Sequence, residues 1–88
     1  MPERDATDAL VVRLRAELAT VRPDIAATAP QDALLKGELD VDSLDVLEFV
    51  ARVEAAFGVV VPDEDWQHVA SLRSLAEYLV GCGVREPS

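Results

Sequence analysis

The chain has 88 residues, half of them apolar and 28% charged, with a formal net charge of −9 and one cysteine. That length suits one domain, residues 1–88 with an ordered core over about 7–80, and leaves little room for the enclosed pocket of most enzymes. The charge has the wrong sign for a nucleic-acid binder, the apolar runs are too short to span a membrane, and a lone Cys82 excludes an internal disulfide. The start, Met1-Pro2-Glu3-Arg4-Asp5, lacks the apolar segment of a secretory signal, so the expected compartment is the cytoplasm. Residues 38–65 carry nine acidic side chains against one basic one, Arg52, and hold −8 of the −9 charge. Such a patch steers basic protein partners; it also serves as a solvated face.

The first helical signal begins near Thr7, an expected N-cap with Asp8 in the first turn. Leu10, Leu14, Leu18 and Val21 make one apolar stripe, with Arg13, Arg15 and Glu17 off it, and Pro23 ends the helix near Val21 or Arg22. Residues 23–41 show no sustained period and read as a long crossover between two roughly parallel helices, anchored by Ile25, Leu34, Leu35 and Leu39.

The second long helix is capped by Asp42 or Ser43, has Asp45 in its first turn, and runs to Phe57, where Gly58 stops it. At 100° per residue, Val46, Phe49, Val50, Val53, Ala56 and Phe57 share a core face. Leu44, Leu47, Glu48, Ala51, Glu54 and Ala55 share the other face. A purely solvated face has no need of Leu44 and Leu47.

Val59-Val60-Val61 reads as an extended connector with one or two valines buried, closed by Pro62. Asp63 is expected to cap a short turn through Gln67, and Trp66 to form a half-buried lid. Ser71 caps a last helix with Leu72, Leu75, Ala76 and Leu79 inward, and Gly81 terminates it. The tail Val84-Arg85-Glu86-Pro87-Ser88 should fray. The expected fold is all-α, a small four-helix bundle of three main helices and one short one with a long first loop.

The informative stretch is Asp42-Ser43-Leu44-Asp45, with Glu48 four positions after the leucine. It resembles the signature at the start of the second helix of acyl carrier proteins. Phe57-Gly58-Val59-Val60-Val61-Pro62-Asp63 is similar to the connector of that family, and Val69–Leu79 to its closing helix. The likeness covers about residues 38–80 well and 8–22 by pattern only. Three residues alone recur by chance; the same tripeptide at a helix start, with connector and last helix at the right offsets, is specific.

The resemblance implies a discrete bacterial-type carrier, a monomer without catalysis of its own. In it Ser43 bears a 4'-phosphopantetheine arm installed from coenzyme A by a phosphopantetheinyl transferase, and acyl groups travel on that arm as thioesters. A serine at a helix N-terminus suits this, since the phosphodiester anion lies at the positive end of the helix. Asp42 would help hold the magnesium ion of the transferase reaction, since a hard cation takes carboxylate and phosphate oxygen together; no metal site is intrinsic to the chain. Leu44, Asp45, Leu47, Glu48, Ala51 and Glu54 would meet the transferase and acyl-loading and acyl-processing enzymes with basic docking patches. Val46, Val50 and Val53 would line an acyl pocket, although core packing alone also explains them.

Departures from the family pattern are Asp40, where Gly is frequent two residues before the signature Asp, and Ala51, where a larger apolar residue is common. Asp tolerates a left-handed backbone better than most residues. The chain also lacks the Gly-Gly pattern of peptidyl carriers, which leans toward acyl cargo. Three other readings remain: an aminoacyl or peptidyl carrier, an unmodified acidic interaction module, and an enzyme using Cys82 and His68.

Overall fold

The computed structural model describes residues 2–84, with side chains from Thr7 onward. Residues 85–88, where fraying is expected, lie outside the described residues. Among the described residues there are four α-helices: α1 (Pro2–Val21), α2 (Pro23–Ala26), α3 (Ser43–Phe57) and α4 (Leu72–Gly81). A 3₁₀ helix, Asp63–His68, precedes α4. No strand occurs among the described residues. The all-helical bundle matches the expected fold class.

Helix α1 starts five residues earlier than the sequence pattern indicates, so Thr7 lies inside it and is not its N-cap. The apolar stripe is as expected: Leu10, Leu14 and Leu18 have no exposed surface, and Val11 widens the stripe. Helix α1 packs against α2, α3 and α4, so it is the centre of the bundle. Its leucines meet Phe49 and Val53 of α3 and Leu72, Leu75, Ala76 and Leu79 of α4 in one buried cluster. Each such leucine, valine or phenylalanine side chain taken fully out of water contributes about 2 kcal/mol.

The crossover after α1 is more ordered than its lack of period suggests. Pro23 does end α1, but it also opens the short α2. Small side chains there, Ala26, Ala29 and Ala33, are buried and allow a close approach to the core. Arg15 of α1 donates from Nη1 to the carbonyls of Ala26 (2.7 Å) and Ala29 (2.6 Å), capturing acceptors that the end of α2 leaves open. Leu35 donates its amide to the Ala70 carbonyl, and Val41 donates its amide to the Leu35 carbonyl, both at 2.9 Å. Of the expected anchors, Leu35 is fully buried, while Ile25 and Leu39 pack partly buried against the cluster. Leu34 does not anchor: it is 49% exposed. It sits in a turn closed by the amides of Glu38 and Leu39 on its carbonyl, and Leu35 takes the buried place.

Helix α3 buries Val46, Phe49, Val50 and Val53 as expected. Ala56 is exposed and Phe57 only partly buried, because the last turn runs past the core. The Arg13 guanidinium covers the Phe57 ring, 5.7 Å from its centroid. Gly58 stops the helix at φ +67°, a conformation costly for any residue with a Cβ. In the connector Val61 is buried, Val59 partly so, and Val60 is 79% exposed.

The 3₁₀ helix has Pro62 at its N-cap, so Asp63 is its first residue and not its cap. Trp66 is half-buried as expected and donates Nε1 to the Val61 carbonyl at 3.2 Å. Ser71 caps α4 with a capping box: its Oγ accepts from the Ser74 amide and the Ser74 Oγ accepts from the Ser71 amide. Gly81 is the last residue of α4, as expected, and the left-handed turn that follows belongs to Gly83, at φ +89°. Val84 packs partly buried against the core.

Candidate functional site

Asp42 sits just before α3 with extended backbone (φ −81°, ψ 176°), and its Oδ1 accepts the Asp45 amide at 2.8 Å. Asp42, not Ser43, is therefore the cap. Its carbonyl accepts the Val46 amide at 2.9 Å. Ser43 becomes the first helical residue and is exposed. A helix start leaves its first amides without intrahelical acceptors. With the amides of Asp45 and Val46 both taken by Asp42, those of Ser43 and Leu44 remain for an anion on the Ser43 side chain. A covalently tethered phosphodiester fits this geometry: the hydroxyl is reachable, and the helix end favours negative charge by about 0.3–1 kcal/mol.

The residues around Ser43 divide into free and engaged groups. Leu44 is 75% and Leu47 52% exposed, and Glu48 and Ala51 share their face toward solvent. Two of the expected docking carboxylates are already used within the fold. Asp45 Oδ2 pairs with Arg22 Nη1 at 2.9 Å and is half-buried. Glu54 Oε2 accepts the Val61 amide at 2.8 Å, strapping the connector onto α3. Arg52 pairs with Glu17 of α1 at 3.3 Å, so its charge is partly balanced. Val46, Val50 and Val53, the acyl-pocket candidates, belong to the buried cluster beside Phe49.

Asp40 adopts φ +56°, and among the described residues no other non-glycine has a positive φ. The left-handed turn that glycine would suit is thus present and carried by aspartate. Arg22 was not singled out by sequence pattern, yet it closes this region. Its guanidinium donates to Asp24 through Nε (3.2 Å) and Nη2 (3.1 Å), to the Asp40 carbonyl (3.3 Å) and to Asp45. These acceptors, Asp24 first and then Asp45, hold Arg22 well above its ordinary pKa, and Arg22 in turn lowers that of Asp24. Arg22 and Lys36 are the two basic residues between the end of α1 and the acidic run, and nothing local to the chain distinguishes Arg22 from Lys36.

His68 and Cys82 come together only through Tyr78. The His68 ring stacks on Tyr78 at 5.0 Å and 16°, and the Tyr78 hydroxyl donates to Asp65 Oδ2 at 2.7 Å. That bond, then burial and the nearby Cys82 thiol, raise the Tyr78 pKa. The pair lies at the 3₁₀ helix and the end of α4, on elements other than the start of α3 that carries Ser43. Among the described residues no cluster of His, Cys, Asp and Glu is arranged to hold a metal, and no helix is long and apolar enough to cross a membrane.

A small helical bundle that offers one reachable serine at a capped, anion-favouring helix start is built to hold a covalent prosthetic group. The sequence matches the family described as "Phosphopantetheine attachment site" over residues 12–79. It is 32% identical over 72 residues to the acyl carrier protein of Treponema pallidum (strain Nichols), covering 82% of this chain and 92% of that one. It is 40% identical over 48 residues to the acyl carrier protein of Syntrophobacter fumaroxidans, covering 54% and 59%. It is 34% identical over 56 residues to the acyl carrier protein of Helicobacter pylori (strain G27), covering 64% and 70%. The chain belongs to the acyl carrier protein family. Proteins of this family carry covalently attached 4'-phosphopantetheine, work with biosynthetic enzymes and are generally not catalysts themselves.

Proposed function

We propose that Ser43 bears the 4'-phosphopantetheine arm and that the protein presents acyl groups on it, as thioesters, to biosynthetic enzymes. The observation that carries this reading is the exposed Ser43 at the start of α3 directly behind the Asp42 cap, within the matched span 12–79. In the modification Ser43 Oγ forms a new P–O bond to the pantetheine-bearing phosphate of coenzyme A. The pyrophosphate P–O bond breaks, adenosine bisphosphate leaves, and the hydroxyl proton passes to solvent or a transferase base. Asp42 would help hold the magnesium ion of the transferase reaction, which would supply positive charge beside the phosphates.

The chain acts as a single carrier domain, a monomer in the cytoplasm, and is a substrate of the transferase. Leu44, Leu47, Glu48 and Ala51 form its docking face for that enzyme and for acyl-loading and acyl-processing partners with basic patches. Asp45 and Glu54 contribute there mainly by shaping the surface, since each holds another part of the fold. The relatives being acyl carriers by name favours acyl over aminoacyl cargo.

The test is intact mass after incubation with a broad-specificity phosphopantetheinyl transferase, magnesium and coenzyme A. Wild type gains one phosphopantetheine group and Ser43→Ala gains none. A gain on Ser43→Ala would place the arm elsewhere, and no gain on folded wild type with several transferases would leave an unmodified interaction module.

A further inference from the structure

We propose that Arg22 is a positioning residue for modification of Ser43: its guanidinium ties Asp24, the Asp40 carbonyl and the Asp45 carboxylate together and pre-sets the backbone that leads into Ser43. The inference rests on the reading of Ser43 as the attachment site.

The segment before Ser43 needs such a tie. Asp40 holds φ +56°, a left-handed conformation that aspartate tolerates better than most residues but that still costs free energy, which bonds from its surroundings offset. Arg22 Nη1 bonds the Asp40 carbonyl at 3.3 Å and Asp45 Oδ2 at 2.9 Å, so one nitrogen spans both sides of Ser43. Nε and Nη2 of the same side chain are fixed on Asp24 in α2, which keeps the fork from swinging away. Asp45 is then held twice, by its carboxylate through Arg22 and by its amide through Asp42. Residues 40, 42 and 45 are anchored, while Ser43 and Leu44 between them stay exposed.

A transferase therefore meets a segment already ordered. Without Arg22 that ordering is completed on binding, and its cost appears in KM; once bound, the reacting atoms sit as before and kcat holds. Loss of the cation also makes the patch more negative, which by itself would tighten binding to a basic partner. High salt screens that opposing effect. The planar fork explains why lysine is not equivalent: an ammonium reaches one or two of these acceptors but not all of them in one plane.

The test measures transferase kinetics on wild type, Arg22→Gln and Arg22→Lys at high ionic strength, below the melting temperature of each variant, with amide hydrogen exchange on the same unmodified samples. Both variants are expected to raise KM about fivefold with kcat within about twofold of wild type. Amides of residues 40–46 should exchange faster while those of α1 and α4 do not. Unchanged KM in both variants, or full rescue by Arg22→Lys, would overturn the proposal. So would exchange that rises uniformly, since that reports lost global stability. If wild type itself accepts no arm, the Ser43 reading fails first, and the exchange pattern still reports whether Arg22 orders the segment.

Discussion

Asp42 Oδ1 accepts the backbone amide of Asp45 at 2.8 Å, and this bond sets where α3 begins and so where Ser43 sits. A carboxylate cap satisfies one orphan amide and complements the helix dipole. Asp42→Ala is expected to lower stability by about 1 kcal/mol, and Asp42→Asn or Asp42→Ser by less, because both keep a capping oxygen. Urea denaturation of the three variants measures this. Equal losses in all three would show that the cap is not the source.

The two faces of α3 separate stability from recognition. Phe49 has no exposed surface, whereas Leu47 is 52% exposed. Phe49→Ala should cost about 3–5 kcal/mol, enough to unfold much of so small a domain, because it leaves a cavity in the cluster. Leu47→Ala should change stability by no more than about 0.5 kcal/mol. Its effect is expected in transferase or partner affinity, read by surface plasmon resonance or by KM. A large loss of stability in Leu47→Ala would move that residue to the core.

Glu54 holds the connector rather than standing free. Its Oε2 accepts the amide of Val61, a residue only 4% exposed. Glu54→Ala leaves that amide without its charged acceptor and should cost about 1.5–3 kcal/mol. Glu54→Gln retains a carbonyl acceptor and should cost less. Thermal melts distinguish the two, and equal melting of Glu54→Ala and wild type would show the strap to be inconsequential.

Tyr78 supplies a spectroscopic reporter, being the single tyrosine in the chain. Its hydroxyl donates to Asp65, and ionisation would lose that bond and put a charge in a partly buried site, so its folded pKa is raised. A raised folded value means the stabilisation is fully present below the unfolded tyrosine pKa and is lost as pH rises from there through the folded pKa. Tyrosinate absorbance in the folded protein should appear at higher pH than in urea. Asp65→Asn should bring the folded curve toward the unfolded one. Coincident folded and unfolded titrations of wild type would contradict the Tyr78–Asp65 bond.

At the acid end the Arg22–Asp24 pair supplies the opposite dependence. Asp24 is lowered by its bond to Arg22, so its stabilisation is present above the unfolded carboxylate pKa and fades as pH falls through the lowered folded value. Asp24→Asn should therefore melt at a lower temperature than wild type at neutral pH, with the difference closing in acid. A difference independent of pH would mean that charge is not involved. The gap should be small, since the pair is exposed.

The helices of greatest regularity were legible because period and caps agreed. Leu72, Leu75, Ala76 and Leu79 recur on one face of α4 behind a serine cap, and all four are buried. The signature at Ser43 was legible too, since cap, serine and leucine are adjacent in the chain. Leu34 and Leu35 were not separable, because a turn decides which of two neighbouring leucines faces inward. The crossover carries no apolar period, and the burial of Ala26 and Ala29 depends on their small size and on Arg15 reaching across from α1 to their carbonyls.

By itself the sequence determined the helical class, the capped start of α3, the reachable serine and the acidic surface around it, since these follow from local propensity, short-range capping and charge count. Even the left-handed position at Asp40 was foreshadowed by the residue type that tolerates it. Only the tertiary structure decided which acidic groups are free. Asp45 and Glu54 look like Glu48 in sequence, but Arg22 lies 23 residues from Asp45, and the Val61 amide lies seven residues from Glu54 across a connector. Contacts of that kind depend on how the crossover and the connector fold back on α3, and no local pattern of the chain encodes the distance that closes them.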